Sequence, residues 1–299
     1  MVDIFFIKTF IAVVQNGSFR IAAQKNNITQ PAVSQHIRVL EQKLKCLLLE
    51  RSSKRVVLTP AGQVFLRYAQ QILELYQKAQ GEIEEIHNQY TGVIRIASIY
   101  SMGLYQLKPM MQHFLRKYPG ISIHLEYRHN DVIYEIVRNG TIDFGLVAFP
   151  KAMPGITAKT FAEDLLILTQ LRRKPFLQKK HILPEDLNEV KFIGLNPKTP
   201  TGHAIQQFLK SHGVKPHIVK EYDNIETIKN AVEVGLGCSI LPRTTILQEL
   251  KDKKLGLVTV QEMDLKRPLG IICRHQKIFS PSTRIFYEMI VASPRKMIK

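Results

Sequence analysis

The chain has 299 residues, 45% of them apolar, and a net charge of +17 from 42 Lys and Arg against 25 Asp and Glu. That length supports a substantial core and more than one domain. No window approaches the roughly 18 consecutive apolar residues of a spanning helix, which argues against an integral membrane protein or a membrane partner. Asp3 and Lys8 sit inside an amphipathic first segment with no small-residue cleavage site, against a secretory leader. Cys46, Cys238 and Cys273 are odd in number and far apart. They suit a reducing, cytoplasmic location, form no zinc pattern, and are expected to be small buried residues. Residues 1–90 hold 11 basic and 7 acidic side chains, a net of +4, and the remaining 209 hold 31 and 18, a net of +13. The larger part therefore either lies near DNA, binds an anionic small molecule, or simply has a basic surface.

Residues 4–15 carry Ile4, Phe5, Ile7, Phe10, Ile11, Val13 and Val14, a strongly apolar helical segment. Asn16-Gly17-Ser18 ends it, with Ser18 placed to cap a second helix through Ala22-Ala23-Gln24. Asn26-Asn27 turns the chain into a third helix capped by Thr29, with Pro31 tolerated in its first turn. Ala32, Val33, Ile37 and Leu40 share one face of this helix, while Gln30, Ser34, Gln35 and Arg38 fall on or near the other. Amides, a hydroxyl and a guanidinium on an exposed helix can read base edges in a major groove. Two short helices in this order predict a helix-turn-helix. Leu47-Leu48-Leu49 and Val56-Val57-Leu58 then flank the basic run Arg51 to Arg55, predicting a two-stranded wing whose tip meets phosphates or a minor groove. The competing reading is an ordinary three-helix bundle with a solvated basic turn.

The ordered set Phe10, Gly17-Ser18-Phe19, Ala22-Ala23, Thr29-Gln30-Pro31-Ala32-Val33-Ser34-Gln35, Ile37, Leu40-Glu41, Leu44, Leu48, Arg51 and Leu58-Thr59-Pro60-Ala61-Gly62 resembles the N-terminal domain of LysR-type transcriptional regulators. One departure is Cys46-Leu47-Leu48-Leu49, where the family usually has a glycine-led run. The resemblance implies a winged helix-turn-helix on double-stranded DNA. Gln30, Pro31, Ser34, Gln35 and Arg38 would then lie at bases or the adjacent backbone, with Arg51, Lys54 and Arg55 on the backbone or minor groove.

From Pro60 a single long helix is predicted. Ala61, Phe65, Tyr68, Ile72, Leu75, Ala79, Ile83, Ile86 and Tyr90 recur at alternating steps of four and three, a heptad seam that asks for a partner helix. Packing on its own domains or, preferred here, pairing with a second copy would cover it. A two-fold pair of reading helices also gains specificity over one. The resemblance extends this to dimers of dimers, and it also implies RNA polymerase as a partner.

After Thr91-Gly92 the pattern becomes strand 93–97, helix 104–118, strand 121–127, helix 132–138 and strand 142–147, the signature of a parallel sheet with covering helices. Strands at 165–170, 191–195, 218–222, 238–241, 257–260 and 269–273 follow. Between them lie a helical turn at 181–187, helices at 201–213 and 225–234, a short helical segment opened by Pro242, and a last helix at 280–290 for which Ser282 is a candidate cap. The expected organisation is α/β overall: residues 1–59 an all-α winged helix-turn-helix, 60–90 a linker and dimerisation helix, and 91–299 an effector-binding domain. Its two lobes would be 91–163 with 267–299, and 164–266. Ile94-Arg95-Ile96-Ala97, Phe114 to Pro119, Gly140-Thr141-Ile142-Asp143 and Val234 to Pro242 also resemble the effector domain of the same regulators, which is built like a periplasmic solute-binding protein.

A cleft between such lobes is a natural small-molecule site, lined by strand ends and first helical turns. By position these are Ile99, Tyr100, Ser101, Met102, Ala148, Phe149 and Pro150 on one lobe, and Asn196, Lys198, Thr199, Thr201, Gly202, Asp223, Asn224 and Ile225 on the other. Hydroxyls and N–H groups at helix starts suit a carboxylate or phosphate, although the same residues are ordinary caps. Tyr100 would narrow the site, and Lys198 is a weak candidate to neutralise an anion. His203, His212 and His217 lack accompanying carboxylates or cysteines at ligand spacing, so no metal or other cofactor is expected. Neither a nucleophile triad nor a phosphate loop is present, so the chain is not read as an enzyme. The expected function is a DNA-binding transcriptional regulator modulated by a small, anionic effector. The alternatives are an effector-independent repressor or architectural DNA binder, and a solute-binding or enzymatic α/β protein.

Overall fold

The computed structural model describes residues 3–50, 56–86, 90–173 and 181–292, and at 81–86 only the side chain of Ile83. The chain divides into two compact units, one of residues 1–91 with 139–141 and 276–284, the other of 92–138, 142–275 and 285–299. No helix among the described residues is long and apolar enough to cross a membrane.

In the first unit, α1 (Ile4–Asn16) starts where the Asp3 carboxylate accepts the Phe5 N–H at 2.8 Å, and ends at Gly17 in the left-handed region. The second helix, α2 (Phe19–Asn26), is capped by Ser18, and α3 (Gln30–Leu44) by Thr29, as the sequence predicts. Phe10, Val13, Ala22, Val33, Ile37, Leu40 and Leu48 are buried together in one small core. Each large apolar side chain among them contributes roughly 1.5–3 kcal/mol on burial. Leu49 bridges Leu58 in antiparallel fashion, flanked by Glu50 N–H to Val57 O at 2.8 Å and Thr59 N–H to Leu48 O at 3.1 Å. This is the base of the wing. The long helix α4 (Pro60–Ile86) follows, its Gly62 so close to Leu48 that an added Cβ would lie 2.0 Å from the Leu48 carbonyl oxygen.

The second unit is a two-lobed α/β structure. In its first lobe β1 (Gly92–Ser98) lies parallel to β2 (Ile121–Tyr127) and β3 (Phe144–Ala148). These are joined by the short α5 (Tyr100–Met102), a π-helical turn at Gly103–Leu107, α6 (Lys108–Lys117) and α7 (Asn130–Arg138). The next strand, β4 (Ile156–Leu171), is 16 residues long and belongs to both lobes. Its first half pairs antiparallel with β10 (Lys266–Arg274), which also pairs with β3. Its second half runs between β8 (Ser239–Pro242) and β9 (Leu255–Val260) in the second lobe. There β5 (His181–Ile182) joins β9, and β6 (Lys191–Leu195) runs parallel to β7 (His217–Tyr222) and touches Cys238. Helices α8 (Pro200–Ser211), α9 (Ile225–Glu233) and α10 (Leu247–Lys251) belong to this lobe, whose core includes Leu168, Phe192, Ile193, Ile228, Val232, Ile240 and Leu241. The last helix, α11 (Pro281–Ala292), places Phe286 against Phe114, ring centroids 4.6 Å apart.

The structure departs from the sequence reading at particular points. The sequence predicts a strand only over 165–170, whereas β4 begins at Ile156, because its first half carries exposed Thr157, Lys159, Thr160 and Glu163 and lacks an apolar run. The cap near α11 is Ser280, whose Oγ accepts the Thr283 N–H at 3.3 Å, while Ser282 donates to the Thr91 carbonyl. Cys46 is exposed and Cys273 half-buried; only Cys238 is buried as expected.

Candidate nucleic-acid interface and inter-lobe cleft

Helix α3 is fixed at both ends. The Thr29 Oγ1 accepts the Ala32 N–H at 3.3 Å, and Lys45 closes the C-terminus in the left-handed region at φ 55°. Between them the apolar stripe of Val33, Ile37 and Leu40 faces the core, so Gln30, Pro31, Ser34, Gln35 and Arg38 are all left exposed. Glu41 holds the following loop by accepting the Leu48 and Leu49 N–H groups at 2.8 and 3.2 Å on one carboxylate oxygen. Arg51, Lys54 and Arg55 lie outside the described residues.

His36, not singled out from the sequence, ties α3 to α1. Its ring stacks on Phe6 at 4.4 Å, meets Phe5 edge-on at 5.4 Å, and places Nδ1 3.1 Å from the buried Thr9 hydroxyl. Thr9 donates to the Phe5 carbonyl, so it accepts from an Nδ1–H on the imidazole. Burial lowers the His36 pKa, partly opposed by the Asp3 charge.

The seam expected along α4 separates into two parts. Phe65 packs beside Phe10, 5.2 Å between centroids, within the core that also buries Ala69. Beyond it Tyr68, Ile72, Leu75, Ala79 and Ile83 are exposed, with Val64 and Tyr76 beside them. The side chain of Ile86 is outside the described set.

In the second unit a cleft of about 570 Å³ opens between the lobes. Of the expected residues, Ile99, Tyr100, Ser101, Ala148, Lys198, Thr199, Thr201 and Asn224 line it. Met102 does not, being buried beneath the short α5, and Phe149 turns away at a left-handed φ of 52° while its N–H bonds the Pro268 carbonyl. Tyr100 stacks on Tyr127, ring centroids 5.0 Å apart. Thr199 and Asn224 cap their helices, accepting the Gly202 and Glu226 N–H groups at 3.0 and 2.8 Å. Gly202 is obligatory there, since a Cβ would lie 2.2 Å from the Asn196 carbonyl oxygen.

The cleft also contains residues that the sequence did not single out, Arg128, His129, Asn130, Asp131, Tyr134 and Arg267 among them. Arg267 is the most consequential. It is 1% exposed, its Nε donates to Thr201 at 3.1 Å and its Nη2 to Ser101 at 2.7 Å, so one guanidinium joins the two lobes. Nη1 stands 3.9 Å from Asp164 and has no hydrogen-bond partner among the described residues. Burial pulls the Arg267 pKa down to about 10, against the pull of Asp164, so the side chain is still a cation at neutral pH. Asp164, itself buried and raised by that burial, is held by the Thr244 hydroxyl and by the Leu165 N–H. The sequence marks Arg267 only as a lobe boundary, and the pairing of β10 with β4 is what brings its side chain to the cleft.

A second polar cluster spans the lobes. Tyr105, on the π-helical turn, donates to Glu226, and Lys229 donates to Tyr105 at 2.5 Å while lying 3.0 Å from Glu249. Burial and Glu226 push the Tyr105 hydroxyl up to about 12. Among the described residues no group of His, Cys, Asp or Glu is placed to hold a metal ion.

Two family models match the chain, the lysR-family bacterial regulatory helix-turn-helix protein over residues 6–63 and the LysR substrate binding domain over 87–295. A probable RuBisCO transcriptional regulator of Cyanidioschyzon merolae (strain NIES-3377 / 10D) is 33% identical over 291 residues, covering 95% of this chain and 96% of the relative. A full-length OxyR variant from Pseudomonas aeruginosa has the same fold, with a TM-score of 0.74 at 22% identity over 99% of this chain and 95% of that one. The Synechocystis PCC6803 CcmR regulatory domain in complex with 2-PG matches with a TM-score of 0.63 at 25% identity, over 70% of this chain and all of that domain.

Proposed function

Since the chain belongs to the LysR family of transcriptional regulators, and is therefore a DNA-binding regulator with an effector domain rather than an enzyme, we propose that its effector is a small anion held in the inter-lobe cleft. The observation that carries this is the buried Arg267 guanidinium with an unpartnered Nη1. A buried cation lacking a full set of partners is costly unless an anion completes it. The adjacent N-terminus of α8 adds favourable dipole charge, and of its first-turn N–H groups that of Thr201 is left after Gly202 and His203 bond Thr199. A relative's regulatory domain that binds 2-PG supports a small-molecule ligand for this domain.

On the DNA side, Gln30, Pro31, Ser34, Gln35 and Arg38 read or flank an imperfect palindrome, and Arg51, Lys54 and Arg55 hold its backbone or minor groove. The exposed stripe of α4, from Tyr68 to Ile83, pairs with a second copy to place two reading heads, in a dimer or tetramer. Effector binding changes the angle between lobes, and through subunit packing changes the spacing of the heads and the bend of the DNA. RNA polymerase is the partner through which that change reaches transcription, and the three free cysteines fit a cytoplasmic setting.

Footprinting on DNA beside the protein's own gene tests this reading. Wild type is expected to protect a two-fold site, and Gln35→Ala to weaken it by about 1–3 kcal/mol, roughly five- to hundredfold, with unchanged melting. Equal loss on unrelated DNA would instead assign Gln35 to backbone contact.

A further inference from the structure

The polar groups around the cleft fall into two sets. Most are already engaged: Asn196 Oδ1 accepts the Lys198 N–H at 2.9 Å, Thr199 and Asn224 cap helices, and the Tyr134 hydroxyl accepts the Lys151 N–H at 2.7 Å. Two buried atoms are not. Arg267 Nη1 is a donor, and Asn130 Oδ1 an acceptor, and neither has a hydrogen-bond partner among the described residues.

Asn130 is the informative one. It is the first residue of α7, one past His129, whose carbonyl accepts the Ile133 N–H at 3.0 Å. Its Nδ2 donates to the Ala148 carbonyl at 3.4 Å, which turns Oδ1 away from that carbonyl. The carbonyl Oδ1 is thereby left needing a donor, and sulfate, or a carboxylate without a hydroxyl, has no proton to supply one. Asp131 and Asp223 line the cleft together with Arg128, His129 and Lys198, Asp223 lying 3.7 Å from His129, so the lining outside Arg267 carries both signs.

We infer that the cleft takes a small organic oxyanion carrying a hydroxyl group, a hydroxycarboxylate or a hydroxyalkyl phosphate. The oxyanion is received by Arg267 Nη1 and the Thr201 N–H, with Ser101 and Thr201 each retaining a hydroxyl proton to donate. The ligand hydroxyl donates to Asn130 Oδ1. This rests on the anionic-effector reading and adds the polarity of the other end. A site that pairs a buried acceptor with a ligand hydroxyl discriminates strongly against the ligand that lacks it.

Calorimetric titration of the full-length protein with matched probes decides the matter. The pairs are propionate with lactate, and ethyl phosphate with 2-hydroxyethyl phosphate, which separate carboxylate from phosphate while varying only the hydroxyl. The hydroxylated member of one pair is expected to bind at least about tenfold more tightly. Asn130→Ala should erase that preference, so that both members of a pair bind alike, and Arg267→Gln should abolish binding of both members. Asn130→Val, which also lacks an acceptor, serves if the alanine variant does not fold. Binding of both members without preference, or a preference that survives at Asn130→Ala, overturns the hydroxyl assignment and leaves the anionic reading standing. Failure of every probe to bind wild type overturns both.

Discussion

His36 shows how a ring packed between two helices can hold the one whose outer face is left exposed. Its ring is packed against Phe5 and Phe6 and its Nδ1 meets the Thr9 hydroxyl. Because burial lowers its pKa, the folded state favours the neutral ring, and the unfolded chain binds the proton more readily below the ordinary value of 6.5. The stability that His36 contributes is therefore complete above that value and is lost as pH falls through it. Circular-dichroism melts are expected to show a melting temperature that drops between pH 7.5 and 5.5, with a shallower drop in His36→Phe. An identical slope in the variant would assign the pH dependence to other groups. Nothing in the spacing of Gln35-His36-Ile37 distinguishes a ring on the groove side from one on the α1 side. Phe5 and Phe6 decide it, and they lie about 30 residues upstream.

At the scale of elements, capping chemistry carried most of the legible information. Ser18 and Thr29 are local signals, readable because a hydroxyl three residues ahead of an N–H needs no tertiary context. The first half of β4 was not readable, since its partner β10 lies about a hundred residues away and its exposed face is polar. Along α4 the seven-residue period was legible but not its division. Phe65 serves the core of its own unit, while Tyr68, Ile72, Leu75 and Ile83 are between 44% and 58% exposed. A contiguous exposed apolar stripe of that kind is what the proposed pairing with a second copy would cover. Leu75→Glu is expected to shift full-length protein toward monomer in analytical ultracentrifugation, without lowering helix content. A variant that remains fully associated would remove α4 as the pairing element. Loss of helix content would instead mean that the stripe supports its own unit.

For the molecule as a whole, the residues hardest to foresee are those that join lobes. Arg267 touches Ser101 and Thr201, which are 166 and 66 residues distant in sequence, and Tyr105 reaches Glu226 and Lys229. No periodicity encodes such encounters, and sequence reasoning placed the cleft from strand ends and first helical turns. Lys229 is buried with Glu226 and Glu249 about it, and although burial opposes its charge, its hydrogen bonds raise its pKa on balance. Lys229→Met should therefore destabilise the second unit by about 3–5 kcal/mol in urea titration, since it leaves carboxylates facing one another. Tyr105→Phe, which removes only the bridging hydroxyl, should cost about 1 kcal/mol. Equal losses for the two would mean that the hydroxyl, not the ammonium, carries the cluster.

The passage of β4 through both lobes has a mechanical consequence. Its first half is laddered to β10, from Leu165 opposite Lys266 to Ile156 opposite Arg274, and its second half to β8 and β9. A strand anchored in both sheets bends across its thin direction and resists sliding or stretching, which favours an angular over a translational displacement of the lobes. Under the proposed effector reading, ligands that close the cleft to different extents would hold the domain at different points along that bend, so that the shape of the occupant grades the response.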